Sequence, residues 1–156
     1  RCSASFAALK AALVTAPVLA FPDFSRPFIL ACDASHEGLG ATLLQVGTDG
    51  VERPVAYASR ALSPAEKNYT ISDLEGLAVV WSSRWFRKYL VSSECESICI
   101  TDHSALKALA YKPELTGRLM RYALELSQYA MCYVHRPGPE NVLPDLLSRF
   151  GVEGLD

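Results

Sequence analysis

The chain has 156 residues, of which 50% are hydrophobic and 21% charged, so it is long enough for one domain with a substantial core. No apolar run approaches the roughly 18 residues that a membrane span needs, which predicts a soluble protein without a membrane partner. The net charge of −2 excludes the overall basic balance of a free-standing nucleic-acid-binding protein. Five cysteines without a C-x-x-C pair favour reduced thiols and an intracellular location.

The first part of the chain predicts a short helix, a connecting piece and a three-stranded meander. Three prolines in TAPVLAFPDFSRP (15–27) prevent regular structure before residue 28. The helix is SFAALKAAL (5–13), and the antiparallel strands are FILACDAS (28–35), ATLLQV (41–46) and PVAYAS (54–59), with a GTDG turn (47–50) before the third.

The second part alternates helices with two further strands. TISDLEGLAVVW (70–81) begins a long helix that Thr70 or Ser72 can cap and that runs to about Leu90. The later elements are the strand ESICITDH (96–103), the helices SALKAL (104–109) and TGRLMRYALELSQ (116–128), the strand AMCYVH (130–135) and the helix NVLPDLLSRF (141–150). The order βββαβααβα predicts an α/β fold with a mixed sheet and helices on its faces.

Glu75 is the unusual residue of the long helix. At 100° per residue it shares a face with Ile71, Ala78, Val79, Ser82 and Phe86, so its carboxylate points toward the sheet. A buried carboxylate costs several kcal/mol unless it is paired, hydrogen-bonded or metal-bound. Other residues are placed on the outward face: Gly76, and the charges Asp73, Arg84, Arg87 and Lys88, which we interpret as solvated.

Three further acids converge with Glu75 in the predicted fold. Asp33 ends the first strand, Asp102 ends the fourth, and Asp145 lies in the first turn of the last helix. Four carboxylates around one point repel each other unless hard divalent cations such as Mg²⁺ or Mn²⁺ neutralise them. Taken singly, each acid is equally well explained as a turn residue, a helix cap or a satisfied carboxylate.

Long segments of the chain resemble the ribonuclease H domain of a gypsy-class long-terminal-repeat retrotransposon reverse transcriptase. They are FPDFSRPFILACDASHEGLGATLLQ, PVAYASRALSPAEKNYT, DLEGLAVVWSSRWFRKYL, ITDHSALKAL and GRLMRYALELSQYAMCYVHRPGPENVLPDLLSRF, in the family's order. The resemblance implies a ribonuclease H-like fold with a five-stranded mixed sheet. It also implies hydrolysis of the RNA strand of RNA–DNA hybrids with two metal ions, Mg²⁺ or Mn²⁺, held by Asp33, Glu75, Asp102 and Asp145.

The same resemblance implies a domain organisation and partners. Residues 1–26 would be a connection from an upstream polymerase, 27–150 the ribonuclease H domain and 151–156 a tail. The partners would be an RNA–DNA hybrid and the polymerase domain of the same polyprotein, and a homodimer stays open. The implied location is the cytoplasm or a virus-like particle, or the nucleus if a host has domesticated the domain.

Several further residues are candidates for the site. His135 is expected in the loop before the last helix, where a histidine of cellular ribonucleases H assists proton transfer or product release. Ser35, Arg60 and Asn68 are candidate contacts to the hybrid backbone, which such enzymes grip without reading sequence. The family usually has alanines on both sides of the last aspartate, whereas Pro144 and Leu146 flank Asp145 here; proline is tolerated in a first helical turn.

Three alternatives compete with a hybrid-cleaving enzyme. A retroelement-derived domain can persist as a structural or dimerisation module without turnover. An integrase or junction resolvase shares the fold but places its acids in a different order. A non-catalytic nucleic-acid-binding module is disfavoured by the sequence pI of about 5.9.

Overall fold

The computed structural model describes residues 2–15, 18–101, 117–135 and 142–149, and five strands within them form one mixed sheet. The strands are β1 (Ile29–Ala34), β2 (Gly38–Val46), β3 (Glu52–Ala61), β4 (Ser97–Thr101) and β5 (Met131–His135). Their order across the sheet is β3-β2-β1-β4-β5, with β2 antiparallel to β1 and β3, and β4 parallel to β1 and β5. The predicted five-stranded mixed sheet is therefore confirmed.

The described helices are α1 (Cys2–Leu13), α2 (Ile71–Trp85), α3 (Arg87–Ser92), α4 (Arg118–Leu126) and α5 (Val142–Arg149), with a 3₁₀ turn at Glu66–Asn68. Thr70 caps α2 as predicted, since its side-chain oxygen accepts a hydrogen bond from the Asp73 amide at 3.2 Å. The helix ends earlier than predicted, because the chain leaves helical geometry at the buried residue Phe86 and restarts as α3. The predicted helix SALKAL lies outside the described residues.

Helices pack on both faces of the sheet. Alternate residues Leu30 and Cys32 of β1 belong to the main core together with Leu74 and Val79 of α2. The residues between them, Ile29 and Ala31, form a smaller cluster that belongs to the opposite face. No helix of the described segments is both long and apolar enough to cross a membrane.

Two glycines let α5 approach the second face closely. A Cβ on Gly40 would lie 2.3 Å from the carbonyl oxygen of Pro144 and 2.6 Å from the amide nitrogen of Ser148. A Cβ on Gly38 would lie 3.0 Å from the carbonyl oxygen of Ser148. Both glycines were outside the predicted strand, which began at residue 41, but they belong to β2 because the helix backbone takes the place of their side chains.

Helix α4 covers part of the outer side of α2, which corrects the outward placement of Gly76 and the solvated interpretation of Asp73, whereas Arg84 and Arg87 are exposed as predicted. Gly76 is buried against Tyr122 of α4. The approach is so close that a Cβ on Gly76 would lie 2.9 Å from Cδ2 of Tyr122. Two charged residues of α2 pair with α4, Asp73 with Arg118 at 2.8 Å and Arg84 with Glu125, and Arg87 at the start of α3 donates to Gln128 at 2.6 Å. Lys88, in α3, stays exposed as predicted.

Candidate active site

The carboxyl ends of β1 and β4 form the edge of the sheet where the predicted acids lie. These strands run parallel, with Ala31 beside Ile100, so both end at the same edge. Asp33 is the penultimate residue of β1 and is half-buried, and Thr101 ends β4. Asp102, the next predicted acid, lies outside the described residues.

Helix α5 brings Asp145 to this edge. Asp145 lies in the first turn of the helix, as predicted, and is half-buried. Pro144 is buried in the same turn, where its missing amide hydrogen costs little, while Leu146 points toward solvent with 45% exposure. The two departures from the family pattern therefore leave the aspartate in a regular helix.

Ser148 joins Asp33 to α5. Its hydroxyl oxygen lies 2.7 Å from Oδ2 of Asp33 and 2.9 Å from the carbonyl oxygen of Asp145, and the residue is fully buried. Asp33 thereby contacts the same helix that carries Asp145, although Asp33 and Asp145 are far apart in the chain. The structure thus places two of the four predicted acids around one helix turn.

A cationic side chain also faces these acids. Arg149 Nε donates to Oδ1 of Asp145 at 2.7 Å. That hydrogen bond, followed by the charge of Asp145 and then by the charge of Asp33, raises the pKa of the Arg149 guanidinium. Both carboxylates therefore act electrostatically on one positive group.

Glu75 belongs to α2, which packs on the other face of the sheet. It lies in the second turn of α2, half-buried, and its Oε2 atom is shielded from solvent. Its predicted neighbours Ala78, Val79, Ser82 and Phe86 are buried, whereas Ile71 is exposed. Among the described residues, no three His, Cys, Asp or Glu side chains come close enough to hold one metal ion. The structure therefore does not gather Asp33, Glu75 and Asp145 into one ligand group.

His135 lies at the same sheet edge. It is the last residue of β5, beside Thr101 of β4, and it is exposed. The predicted strand AMCYVH (130–135) also ends at this residue, which is counted as the first residue of the predicted following loop as well. The ladder extends to His135 because β5 pairs with β4 through its whole length.

The three predicted substrate contacts lie near this edge too, because β1 and β3 run in the same direction. Ser35 follows β1, and its hydroxyl donates to the carbonyl oxygen of Ser148 at 2.5 Å. Arg60, at the end of β3, makes two hydrogen bonds to Glu66 at 2.8 and 2.9 Å. Asn68 is exposed in the 3₁₀ turn and donates to the carbonyl oxygen of Pro64 at 3.1 Å. The Ser35 hydroxyl and the Arg60 guanidinium are thus already engaged within the protein.

Sequence reasoning missed Ser148 and Arg149. Both follow Asp145 by about one helical turn, so the helix period alone places them on its side of α5. The signal for Ser148 is a polar residue on the buried side of a short helix. Its partner Asp33 is not visible from that pattern, because the contact joins the two ends of the domain.

Known proteins match most of this chain. The family model of the RNase H-like domain found in reverse transcriptase matches residues 23–129, more than half of the sequence. The Pol polyprotein of transposon opus from Drosophila melanogaster is 37% identical over 145 residues, which cover 93% of this chain and 14% of the polyprotein. The Pol polyprotein of transposon gypsy from the same organism is 34% identical over 138 residues, covering 88% of this chain and 13% of the polyprotein.

A solved reverse transcriptase shares the fold. The foamy viral protease-reverse transcriptase in complex with an RNA/DNA hybrid superimposes with a TM-score of 0.62 at 17% identity. The match covers 96% of this chain and 20% of that chain. The resemblance to gypsy-class elements and the fold expected from it are both confirmed. This chain belongs to the family of RNase H-like domains found in reverse transcriptases.

Proposed function

We propose that this domain hydrolyses the RNA strand of RNA–DNA hybrids with the help of two divalent metal ions. The observation that carries the proposal is the contact of Asp33 with the helix that bears Asp145, at the carboxyl edge of β1 and β4. Asp102, which the family resemblance implies as a further ligand, lies outside the described residues. Membership of the RNase H-like family supports the same nuclease chemistry.

The chemistry of these acids suits hard divalent cations, although Asp33, Glu75 and Asp145 do not form one ligand group among the described residues. Carboxylate oxygens are the ligands that Mg²⁺ and Mn²⁺ prefer, and Asp33 and Asp145 already act on the positive charge of Arg149. Asp33, Glu75, Asp102 and Asp145 would hold the ions. When bound, two such ions supply an activated water and stabilise the leaving oxygen of the phosphodiester.

The chain's other candidates have roles around these acids. His135 is exposed at the strand end, where an imidazole can carry a proton to or from solvent. Asn68 presents its side chain on the surface near the same edge. We propose that Ser35 and Arg60 contribute by shaping this edge and that they contact the hybrid backbone only after their internal hydrogen bonds rearrange.

A longer polyprotein would supply the polymerase partner. The chain spans only 13–14% of the two Pol polyproteins described above. The foamy viral reverse transcriptase was solved with an RNA/DNA hybrid, which supports such a hybrid as the substrate here. We propose that the domain acts during reverse transcription inside the cell, in the cytoplasm or in virus-like particles.

The first test is cleavage of a labelled RNA–DNA hybrid by the purified chain. Reactions contain Mg²⁺ or Mn²⁺ at low salt, with RNA–RNA and DNA–DNA duplexes as substrate controls and chelator as the metal control. We expect cutting of the RNA strand of the hybrid alone, and no cutting with chelator. Metal binding is measured beside it by calorimetry.

Matched variants separate the site from general effects of charge removal. Asp33→Asn should abolish cleavage and leave the domain folded, since asparagine still accepts the hydrogen bond from Ser148. Asp49→Asn removes an exposed carboxylate in the β2–β3 turn and should leave cleavage unchanged. A wild-type chain that neither binds metal nor cuts would refute the proposal and favour a structural module. Unfolding of Asp33→Asn would show that the aspartate serves the fold.

A further inference from the structure

Ser148 makes a polar contact that the sheet and helices do not require for their own hydrogen bonding. Its hydroxyl oxygen lies 2.7 Å from Oδ2 of Asp33, which belongs to β1 at the other end of the domain. The serine is fully buried, so water does not compete for this hydroxyl.

The hydroxyl has one proton and two nearby acceptors. The second acceptor is the carbonyl oxygen of Asp145 at 2.9 Å, three residues earlier in the helix. A hydrogen bond to an ionised carboxylate is roughly twice as strong as one to a neutral oxygen. The proton therefore goes to Asp33, which fixes the rotation of that carboxylate.

The position of Ser148 is itself fixed by the β1–β2 turn. Ser35 donates to the carbonyl oxygen of Ser148 at 2.5 Å, while its own oxygen accepts from the amides of Glu37 and Gly38 at 3.1 Å. Gly40 of β2 has no side chain and so leaves room for the Ser148 amide nitrogen. The turn thus fixes the backbone of Ser148, and the Ser148 hydroxyl in turn fixes the Asp33 carboxylate.

We infer that Ser148 is a positioning residue that orients the Asp33 carboxylate for metal binding, and that Ser35 holds Ser148 in place. The inference deepens the proposed function and rests on it, because it assigns Asp33 the task of a ligand. Partners of metal-binding carboxylates commonly change metal affinity or activity by 10–100-fold when removed.

The test compares Ser148→Ala with Ser82→Ala. Ser82 is also a fully buried helix serine, and it donates to the carbonyl oxygen of Ala78 at 2.7 Å within α2. We expect Ser148→Ala to raise the Mn²⁺ dissociation constant, measured by calorimetry, by roughly tenfold. It should also lower kcat on the hybrid by about 10–100-fold. KM for the hybrid should change less than about twofold, because Ser148 does not face the substrate. Ser82→Ala should leave all three quantities unchanged.

Two further variants keep the test decisive. Ser148→Thr retains the hydroxyl and should recover much of the metal affinity lost in Ser148→Ala. Ser35 lies on a partly exposed turn. Ser35→Ala should also weaken Mn²⁺ binding, but by less than Ser148→Ala does. If Ser148→Ala fails to fold, an unchanged Mn²⁺ affinity in Ser35→Ala overturns the inference.

The outcomes distinguish this inference from the proposed function. A wild-type chain that binds Mn²⁺ and cuts the hybrid, together with a Ser148→Ala variant that matches Ser82→Ala, overturns the positioning role alone. A wild-type chain without binding and cleavage overturns the proposed function and this inference with it. Selective loss of metal affinity in Ser148→Ala supports both.

Discussion

Arg149 Nε lies 2.7 Å from Oδ1 of Asp145, so a guanidinium neutralises one predicted metal-binding acid within its own helix. The charge of Asp33 also raises the pKa of this arginine, which shows that both carboxylates act on it. A divalent cation bound by these acids therefore meets a positive side chain beside its ligands, and the two charges repel each other.

Removing that charge should strengthen metal binding. We expect Arg149→Gln to lower the Mn²⁺ dissociation constant by only about two- to threefold, because both side chains of the ion pair are exposed and solvent screens the repulsion between the guanidinium and the bound ion. Arg53→Gln is the matched control, since Arg53 pairs with Asp49 in the β2–β3 turn at 2.6 Å. Unchanged or weaker binding in Arg149→Gln would contradict this reading of the site.

Gly40→Ala should displace α5. The added Cβ would lie 2.3 Å from the Pro144 carbonyl oxygen, and backbone atoms cannot move aside as a flexible side chain does. We expect a loss of about 2–3 kcal/mol in the free energy of unfolding, measured in urea, together with reduced hybrid cleavage.

Gly50→Ala provides the comparison for that variant. Gly50 has a φ of +77° with no atom within 4 Å of a Cβ, so alanine there meets backbone strain without a clash. It should cost about 1 kcal/mol and leave cleavage unchanged. Equal losses of stability and activity in the two variants would show that α5 is not the element affected at Gly40.

Gly76→Ala should destabilise the protein although alanine is the better helix former. The substitution gains about 1 kcal/mol in helix propensity. Against this, the new Cβ would lie 2.9 Å from Cδ2 of the buried Tyr122 and push α4 away from α2. We expect a net loss of about 1 kcal/mol in urea unfolding. In a Tyr122→Leu background the same substitution should cost nothing, and a stabilised single variant would disprove the close packing.

The ion pair of Arg60 with Glu66 should make stability depend on acid pH. The hydrogen bond from Arg60 lowers the pKa of Glu66 from 4.5 to about 2. Because the folded-state pKa is depressed, the ionised Glu66 stabilises the fold above pH 4.5, and this contribution is lost as the pH falls toward 2.

Glu66→Gln tests that dependence. We expect the variant to be about 1–2 kcal/mol less stable than the wild type near pH 6, a range already reduced for solvent screening of a pair that is partly exposed. The difference should shrink between pH 4.5 and pH 2. Glu94→Gln, at an exposed position, controls for the loss of charge. A constant difference across this range would exclude Glu66 as the titrating group.

The sequence predicts the elements of this fold well because their signals are local. A continuous apolar run marks β1, and Thr70 marks the start of α2. Gly38 and Gly40 look like turn residues in the sequence, since their place in β2 depends on a helix that comes about 100 residues later. The ion pairs of Asp73 and Arg84 are invisible in the sequence for the same reason, because their partners Arg118 and Glu125 belong to a distant helix.

For the site too, the sequence predicts the positions set by local patterns but not the contacts between residues far apart in the chain. Strand ends and the last helix place Asp33 and Asp145 correctly, and Glu75 lies on the buried side of α2 as predicted. The hydrogen bond between Ser148 and Asp33 joins residues 115 positions apart, so no local pattern reveals it. The metal-binding roles of Asp33, Glu75 and Asp145 and the predicted roles of His135, Ser35, Arg60 and Asn68 stay predictions, and Asp102 lies outside the described residues.

The position of α5 at the end of the domain has a consequence for translation. All five strands are complete at His135, whereas Asp145 and Ser148 belong to the last described helix. A growing polypeptide leaves the ribosome with its amino-terminal part first, so Asp33 emerges long before the serine that orients it. The nascent chain therefore acquires an oriented Asp33 only after the strands of the sheet have been synthesised.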